Sequence, residues 1–229
     1  MTSPYDARFY DDLRDGARRS ARRVVPLVLE LTGARSVVDV GAGSGIWLAV
    51  FREHGVDRVL GIEGEHLDLG SLDIPPELFV LQDLALPVDI GERYDLAVSL
   101  EVAEHLPESV ADCFVESLTR LAPLVLFSAA APHQGGTEHV NEQWPDWWAA
   151  RFQARGYVPV DCIRRRIWSD PGVEWWYAQN TILYVEGSTL ADRARLQHEH
   201  ELMGTGQLSV VHPCRLLELI EWYEQSASR

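Results

Sequence analysis

Two stretches of this chain carry residue types at spacings that suit chemistry. Residues 37–45 read Val-Val-Asp-Val-Gly-Ala-Gly-Ser-Gly, with valines around Asp39 and glycines at 41, 43 and 45. The pattern is that of a buried strand meeting a tight turn that opens a helix. Glycines at such a turn let a ligand come close to the backbone and tolerate positive φ angles. The free N–H groups of the helix's first turn then face the ligand's polar groups. Arg58-Val59-Leu60-Gly61-Ile62-Glu63 reads as a second strand ending in an acid. Glu63 lies roughly 20 residues past the turn, where a doubly wound sheet places a carboxylate for ribose hydroxyls. A carboxylate accepts both hydrogen bonds of a vicinal diol, which fits the task. The competing reading is a solvated acid at a strand end.

The second stretch is Glu101-Val102-Ala103-Glu104-His105, placed after the fourth apolar strand. If it turns helically, Glu101 lies beside Glu104 and His105. Two carboxylates and an imidazole suit a divalent cation such as Mg²⁺, Mn²⁺ or Zn²⁺. The alternatives are a structural cap and a general base at His105. Downstream, residues 132–148 read PHQGGTEHVNEQWPDWW. His133 and His139 are candidate bases. Asn141, Gln143 and Trp144 are candidate acceptor contacts, joined by Trp176 from a second tryptophan-rich segment, 168–177. Flat apolar walls beside dense polar groups suit a small polar ligand such as a sugar or nucleoside. Gln179 and Asn180 stand at the start of the predicted last strand and orient part of the pocket.

The elements that must position these residues alternate. Strands are predicted at 37–41, 58–63, 79–82, 94–100, 124–130, 157–163 and 180–185, with helices at 45–54 and 108–121 between the early ones. Alternation of this kind predicts an α/β fold with a mostly parallel sheet covered on both faces. Residues 5–31 are helical in pattern, with Pro26 expected to interrupt the apolar stripe and divide two helices. Residues 188–229 follow the last strand and are helix-forming at 189–202 and 213–225.

Bulk properties narrow the function classes. A chain of 229 residues fits one domain with a full core. The net charge of −15 would repel a nucleic-acid backbone, so nucleic acid is not the expected partner. The clusters Arg18-Arg19, Arg22-Arg23 and Arg164-Arg165-Arg166 read as solvated faces or ion-pair partners. No apolar run has the length of a membrane span, and the start lacks a secretory layout. Cys113, Cys162 and Cys214 form no C-x-x-C pair and suit a reducing compartment, so a cytoplasmic location is expected.

The glycine spacing is G-x-G-x-G, and here the chain resembles the class I S-adenosylmethionine-dependent methyltransferases. VVDVGAGSG is similar to their first motif and Gly61-Ile62-Glu63 to their second. Phe79 to Leu84 resembles the third, with Asp83 where the family uses an acid or amide against the adenine amino group. Tyr94 to Glu101 resembles the fourth, a central strand next to the methyl donor. The resemblance implies a Rossmann-like seven-stranded sheet, mostly parallel, with an antiparallel last strand and helices on both faces. It implies S-adenosylmethionine as donor, held by Asp39, Gly41, Ala42, Gly43, Gly45, Glu63, Gly64, Asp83, Leu84, Ser99 and Leu100. In the family an N-terminal segment often folds over the donor, which puts Tyr10 in the same group. The implied divisions are a helical lid segment at 1–34, the donor-binding domain at 35–187 and a helical appendage at 188–229. The appendage is a candidate lid, acceptor wall or homodimer contact.

The E-x-x-E-H run is found in ubiquinone-pathway O-methyltransferases and in small-RNA 2′-O-methyltransferases, where it implies a metal gripping acceptor oxygens. By that resemblance the ligands are Glu101, Glu104, His105 and His139, and the catalytic set is His105, Glu101, His139 and His133. The expected activity is O-methylation of a small hydroxyl-rich acceptor: a sugar, glycoside or secondary metabolite. The alternatives are an RNA-end 2′-O-methyltransferase, an N- or C-methyltransferase of a small metabolite, and an inert donor-binding partner protein.

Overall fold

Strands β1 (Ser36–Val40), β4 (Leu96–Leu100) and β5 (Leu124–Ser128) are buried along their whole length. Strands buried on both sides need helices on both faces. A computed structural model describes residues 7–65, 70–204 and 206–227, with side chains from Arg14 to Ser226 within those spans. The sheet adds β2 (Arg58–Glu63), β3 (Phe79–Leu81), β6 (Tyr157–Val160) and β7 (Ile182–Glu186) in the order β3-β2-β1-β4-β5-β7-β6. All pairings are parallel except those of β7, which runs antiparallel to β5 and β6. This is the Rossmann-like sheet that the sequence predicts.

One face carries α1 (Ala7–Thr32) and α2 (Ile46–Glu53), whose Val24, Val28, Leu48 and Phe51 pack into one core. The other carries α3 (Ala111–Leu121) and α4 (Pro145–Gln153), where Phe114, Leu118, Trp148 and Phe152 fill a second. Short helices α5 (Arg164–Ile167) and α6 (Trp175–Asn180) occupy the connection between β6 and β7. After β7 come α7 (Gly187–Ala191), α8 (Ala194–Met203) and α9 (Pro213–Ala227). Among the described residues no helix is long and apolar enough to cross a membrane.

Some expectations need correction. Pro26 does not divide two helices, because α1 runs unbroken through it. Proline costs the intrahelical bond to the Arg22 carbonyl. The fully buried Val24, Val25 and Val28 anchor the helix on both sides of the gap. Strand β6 stops at Val160, where Cys162 N–H turns back onto the Val160 carbonyl and α5 begins. Gln179 and Asn180 close α6 and do not open β7. Tyr177, packed edge-on against Trp47 at 5.2 Å between centroids, fixes that helical turn on the core. The helix expected at 189–202 is two helices, α7 and α8, parted at Asp192 and Arg193.

Strand order reverses between β1 and β4. The carboxyl ends of these neighbours therefore open one crevice, the ligand position of open α/β sheets. The glycine turn follows β1 and the E-x-x-E-H run follows β4, so topology alone brings the two stretches together.

Candidate active site

The glycine turn is built to be gripped. Gly41 has φ +83°, and a Cβ there would collide with the Val102 side chain. Gly45 caps α2 in the left-handed region at φ 86°. Glu63 closes the loop, because its carboxylate accepts the Gly43 N–H at 2.6 Å and the Gly64 N–H at 2.8 Å. Asp39 is almost fully buried at 3% exposure, and burial with the nearby Glu63 charge pushes its carboxyl up to about 8. Ala42 and Leu100 line the same region as buried apolar groups. Ser99 is fully buried on β4, with no hydrogen-bond partner for its hydroxyl. At the end of β3, Asp83 is exposed and accepts the Ala85 N–H at 2.9 Å, while Leu84 is buried. The side chain of Tyr10 lies outside the described residues.

Sequence reasoning missed Asp73. It accepts the Ser44 hydroxyl at 2.6 Å and the Arg14 guanidinium at 3.1 Å, and it pairs with Arg18. Its own N–H donates to the Ser44 carbonyl at 2.8 Å. Through it α1 is tied to the glycine turn. No local pattern marks Asp73, because its partners lie 29 and 59 residues away.

The E-x-x-E-H run does not form the helical turn expected of it. Glu101 takes φ +56°, and only Ala103–His105 turn, as a single 3₁₀ turn. The Glu101 N–H donates to the carbonyl and hydroxyl oxygens of Ser128, at 3.0 and 3.1 Å. The carboxylate turns to two amides, accepting from Gln134 Nε2 at 2.7 Å and Asn180 Nδ2 at 3.1 Å. Burial raises its pKa, with these donors, Ser128 and His139 acting against that.

Glu104 is fully buried, and neither oxygen meets a donor in hydrogen-bond geometry. Burial first and the Glu101 charge second hold its pKa well above the usual carboxylate range, although the backbones of Glu104 and Ala130 pull it down somewhat. His105 and His139 meet edge to face at 4.9 Å between centroids. Burial and the neighbouring His139 lower the His105 pKa. Potential ligand atoms of Glu104, His105 and His139 lie within 4.8 Å of one another. Glu101, expected in that set, is outside this triplet because the amides hold its carboxylate.

The loop after β5 supplies His139 and fixes it. Glu142 binds His139 Nδ1 at 3.0 Å and accepts the N–H groups of His133 and Gly135 at 2.7 and 2.9 Å. Val140 and Asn141 donate their N–H groups to the Glu104 carbonyl, at 2.9 and 3.0 Å. Gly136, at φ +147°, leaves the room that the His139 ring occupies. His133 does not join the cluster. It is exposed, and the structure uses its backbone, whose carbonyl accepts from Arg215. Asn141 is buried, its Oδ1 accepting from Gln143 Nε2 at 3.1 Å and its Nδ2 without a partner. Trp144 is 40% exposed, Trp148 belongs to the core, and Trp176 packs half-buried against the other core.

A divalent cation fits these residues. A buried carboxylate without donors beside two close imidazoles offers oxygen and nitrogen groups of the kind such a cation takes. The arginines of the basic clusters are engaged in ion pairs within the chain, mostly at its surface. Arg18 and Arg22 pair with Glu53, Arg19 with Glu174, Arg23 with Asp170, Arg164 with Asp161, and Arg165 and Arg166 with Glu199.

A family model described as a methyltransferase domain matches residues 13–166. No curated protein matches the chain. Among solved structures it is similar to the sugar N-methyltransferase KedS8 from Streptoalloteichus sp ATCC 53650, at 18% identity and TM-score 0.59, covering 81% of this chain and 97% of that one. It is similar to CalS10, an amino pentose methyltransferase from Micromonospora echinaspora, at 14% identity and TM-score 0.60, covering 81% and 99%. The methyltransferase domain of bacterial CtHen1-C is 20% identical at TM-score 0.52, covering 73% and 96%. At these identities the likeness carries the fold.

Proposed function

The chain belongs to the methyltransferase-domain family, and on that premise we propose that this S-adenosylmethionine-dependent methyltransferase O-methylates a small hydroxyl-rich acceptor with a divalent cation. The acceptor is a sugar, a glycoside or a secondary metabolite of similar polarity. The donor's methyl is already activated, so the protein's work is alignment and exclusion of water. In this reading Glu63 receives the ribose hydroxyls, the 41–45 backbone lies against the methionine part, and Asp83 meets the adenine.

Glu104, His105 and His139 would hold the cation, with Glu101 beside them. When bound, it would lower the pKa of an acceptor hydroxyl. Without the cation, His105, whose pKa burial and the neighbouring His139 lower, would take up that proton itself. Glu101, oriented by Gln134 and Asn180, offers a fixed acceptor for a second hydroxyl. The observation that carries the proposal is the buried, donor-free Glu104 carboxylate within 4.8 Å of two histidine nitrogens.

KedS8 and CalS10 are described as acting on sugars, which supports a sugar acceptor and makes N-methylation the second reading. The RNA-end reading loses support from the arginine pairings and the acidic charge. The test is Mn²⁺ titration followed by electron paramagnetic resonance, on the wild type and on Glu104→Gln. It is paired with methyl transfer from labelled donor to a panel of sugars, aminosugars and short RNAs, with and without chelator. Saturable Mn²⁺ binding lost in Glu104→Gln, with chelator-sensitive labelling of hydroxyl acceptors, is the expected result. Equal Mn²⁺ binding by both proteins, or full turnover in chelator, would overturn the cation's role, and labelling confined to aminosugars would move the reaction to nitrogen.

A further inference from the structure

Between the start of α4, the end of α5 and the segment before α9 lies an open bowl of about 800 Å³. It is lined by Trp144, Asp146, Trp168, Gln207 and residues 209–211. Two chain segments lead from it directly to the histidine cluster. Trp144 is five residues beyond His139, so an extended segment spans at most about 18 Å between them. From the other side, Val211 precedes His212, whose N–H donates to Gln179 Oε1 at 2.7 Å. Gln179 donates to Asn180, and Asn180 donates to Glu101. The bowl is thus two side chains away from the carboxylate that faces the acceptor. Its wall is held in place from below. His212 packs at a tilt against Trp168, 4.7 Å between ring centroids, and contacts its carbonyl at 2.8 Å, while Arg164 donates to the carbonyls of Gln179 and Leu208 at 3.0 and 2.7 Å.

We propose that this bowl is a second acceptor subsite, and that it takes a neutral sugar ring joined to the one being methylated. The inference rests on the acceptor reading above and narrows it to a two-ring glycoside. Indole faces offer flat apolar area to the C–H face of a pyranose, and the Asp146 carboxylate, Ser209 hydroxyl and Gln207 amide offer polar edges to its hydroxyls. Charge selects against the other ring-bearing ligands. The walls contain an acid and no arginine or lysine, and the chain carries −15, so a phosphate- or carboxylate-bearing ring would be repelled. Asp146 and Ser209 are hydrogen-bonded to each other, which fixes the polar edge opposite the indoles.

The test uses the full chain labelled with 5-fluorotryptophan and saturated with S-adenosylhomocysteine. Fluorine resonances of Trp144 and Trp168 are assigned by Trp144→Phe and Trp168→Phe, and the remaining indole signals report whether each variant keeps its fold. The probes are methyl β-D-glucopyranoside, maltose, phenol and inorganic phosphate. Maltose is expected to shift both resonances saturably at millimolar concentration, and Trp144→Ala to weaken it about tenfold. Maltose that leaves both signals unmoved overturns the proposal, as does a shift produced by phosphate or by phenol alone. Failure of the acceptor reading is told apart by the methyl-transfer panel. A protein that labels sugars yet shows no maltose shift loses only the subsite, and one that shows the shift yet labels no sugar loses the acceptor reading.

Discussion

Asp39→Asn separates two contributions that usually cancel from sight. Asp39 sits on β1 beneath the glycine turn, with its carboxyl pushed up from 3.8 to about 8 by burial and then by Glu63. In the unfolded chain it titrates near the ordinary value. Between those two values the folded protein holds a proton that the unfolded chain has released. Stability must then fall as pH rises across the window, by about 1.4 kcal/mol per unit. Below the lower value both states are protonated and the term vanishes. Above about 8 both are ionised and the loss is complete. From pH 5 to pH 8 the wild type therefore loses on the order of 4 kcal/mol through this group. Asparagine has the same shape and no proton to lose, so the variant lacks that slope.

Urea unfolding of ligand-free protein at several pH values across this window measures the effect as a difference. Every other titrating group is common to both proteins and cancels to first order. The free-energy gap between variant and wild type is expected to widen steadily in favour of asparagine as pH rises. Glu63→Gln, which removes the second cause, is expected to lower Asp39's folded pKa and narrow the gap. Parallel stability curves for wild type and Asp39→Asn would refute the reasoning, since they would mean that Asp39 ionises normally in the folded chain.

Other expectations follow from single contacts. Glu63→Ala leaves the Gly43 and Gly64 N–H groups without their acceptor, and S-adenosylhomocysteine affinity by calorimetry should drop about thirtyfold, near 2 kcal/mol. Gly136→Ala pushes a methyl into the His139 ring at a strained φ, and should weaken Mn²⁺ binding about ten- to a hundredfold with donor-product affinity unchanged. Glu142→Gln should act in the same direction, because it loosens His139 at Nδ1. Arg164→Met strands the half-buried Asp161 carboxylate and two carbonyls, and should cost about 3 kcal/mol in urea unfolding.

Legibility in the sequence followed range. The glycine turn, Glu63 and the seven strands were readable because each rests on local pattern: apolar runs, turn glycines, and an acid at the end of the next strand. The histidine choice was not. His133 and His139 stand equally well in the sequence, and only the loop's path separates them. That path is set by Glu142, which turns two N–H groups and one imidazole about a single carboxylate. The helical reading of 101–105 failed for a similar reason. A left-handed Glu101 has no sequence signature, and it is held by Ser128 and by amides 33 and 79 residues away. Asp73 was invisible on the same ground.

The amides around Glu101 show how distant segments write one site. An asparagine or glutamine can face either way, and only a partner of fixed sense decides. Here two backbone N–H groups decide. His212 N–H donates to Gln179 Oε1, so Gln179 presents its NH₂ to Asn180 Oδ1. Asn180 is left with its own NH₂ for Glu101 and for Gln134 Oε1. Ala131 N–H donates to that same Gln134 oxygen, which turns the Gln134 NH₂ onto the other Glu101 oxygen. The whole chain points its hydrogens at one carboxylate. Glu104, three residues on and more deeply buried, receives no such donor. Two acids of one type are thereby made unequal: Glu101 is a fixed acceptor, while the donor-free Glu104 is the carboxylate that, in the proposed function, would hold a divalent cation. The segment before α9, remote in sequence and without a motif of its own, is what sets that difference.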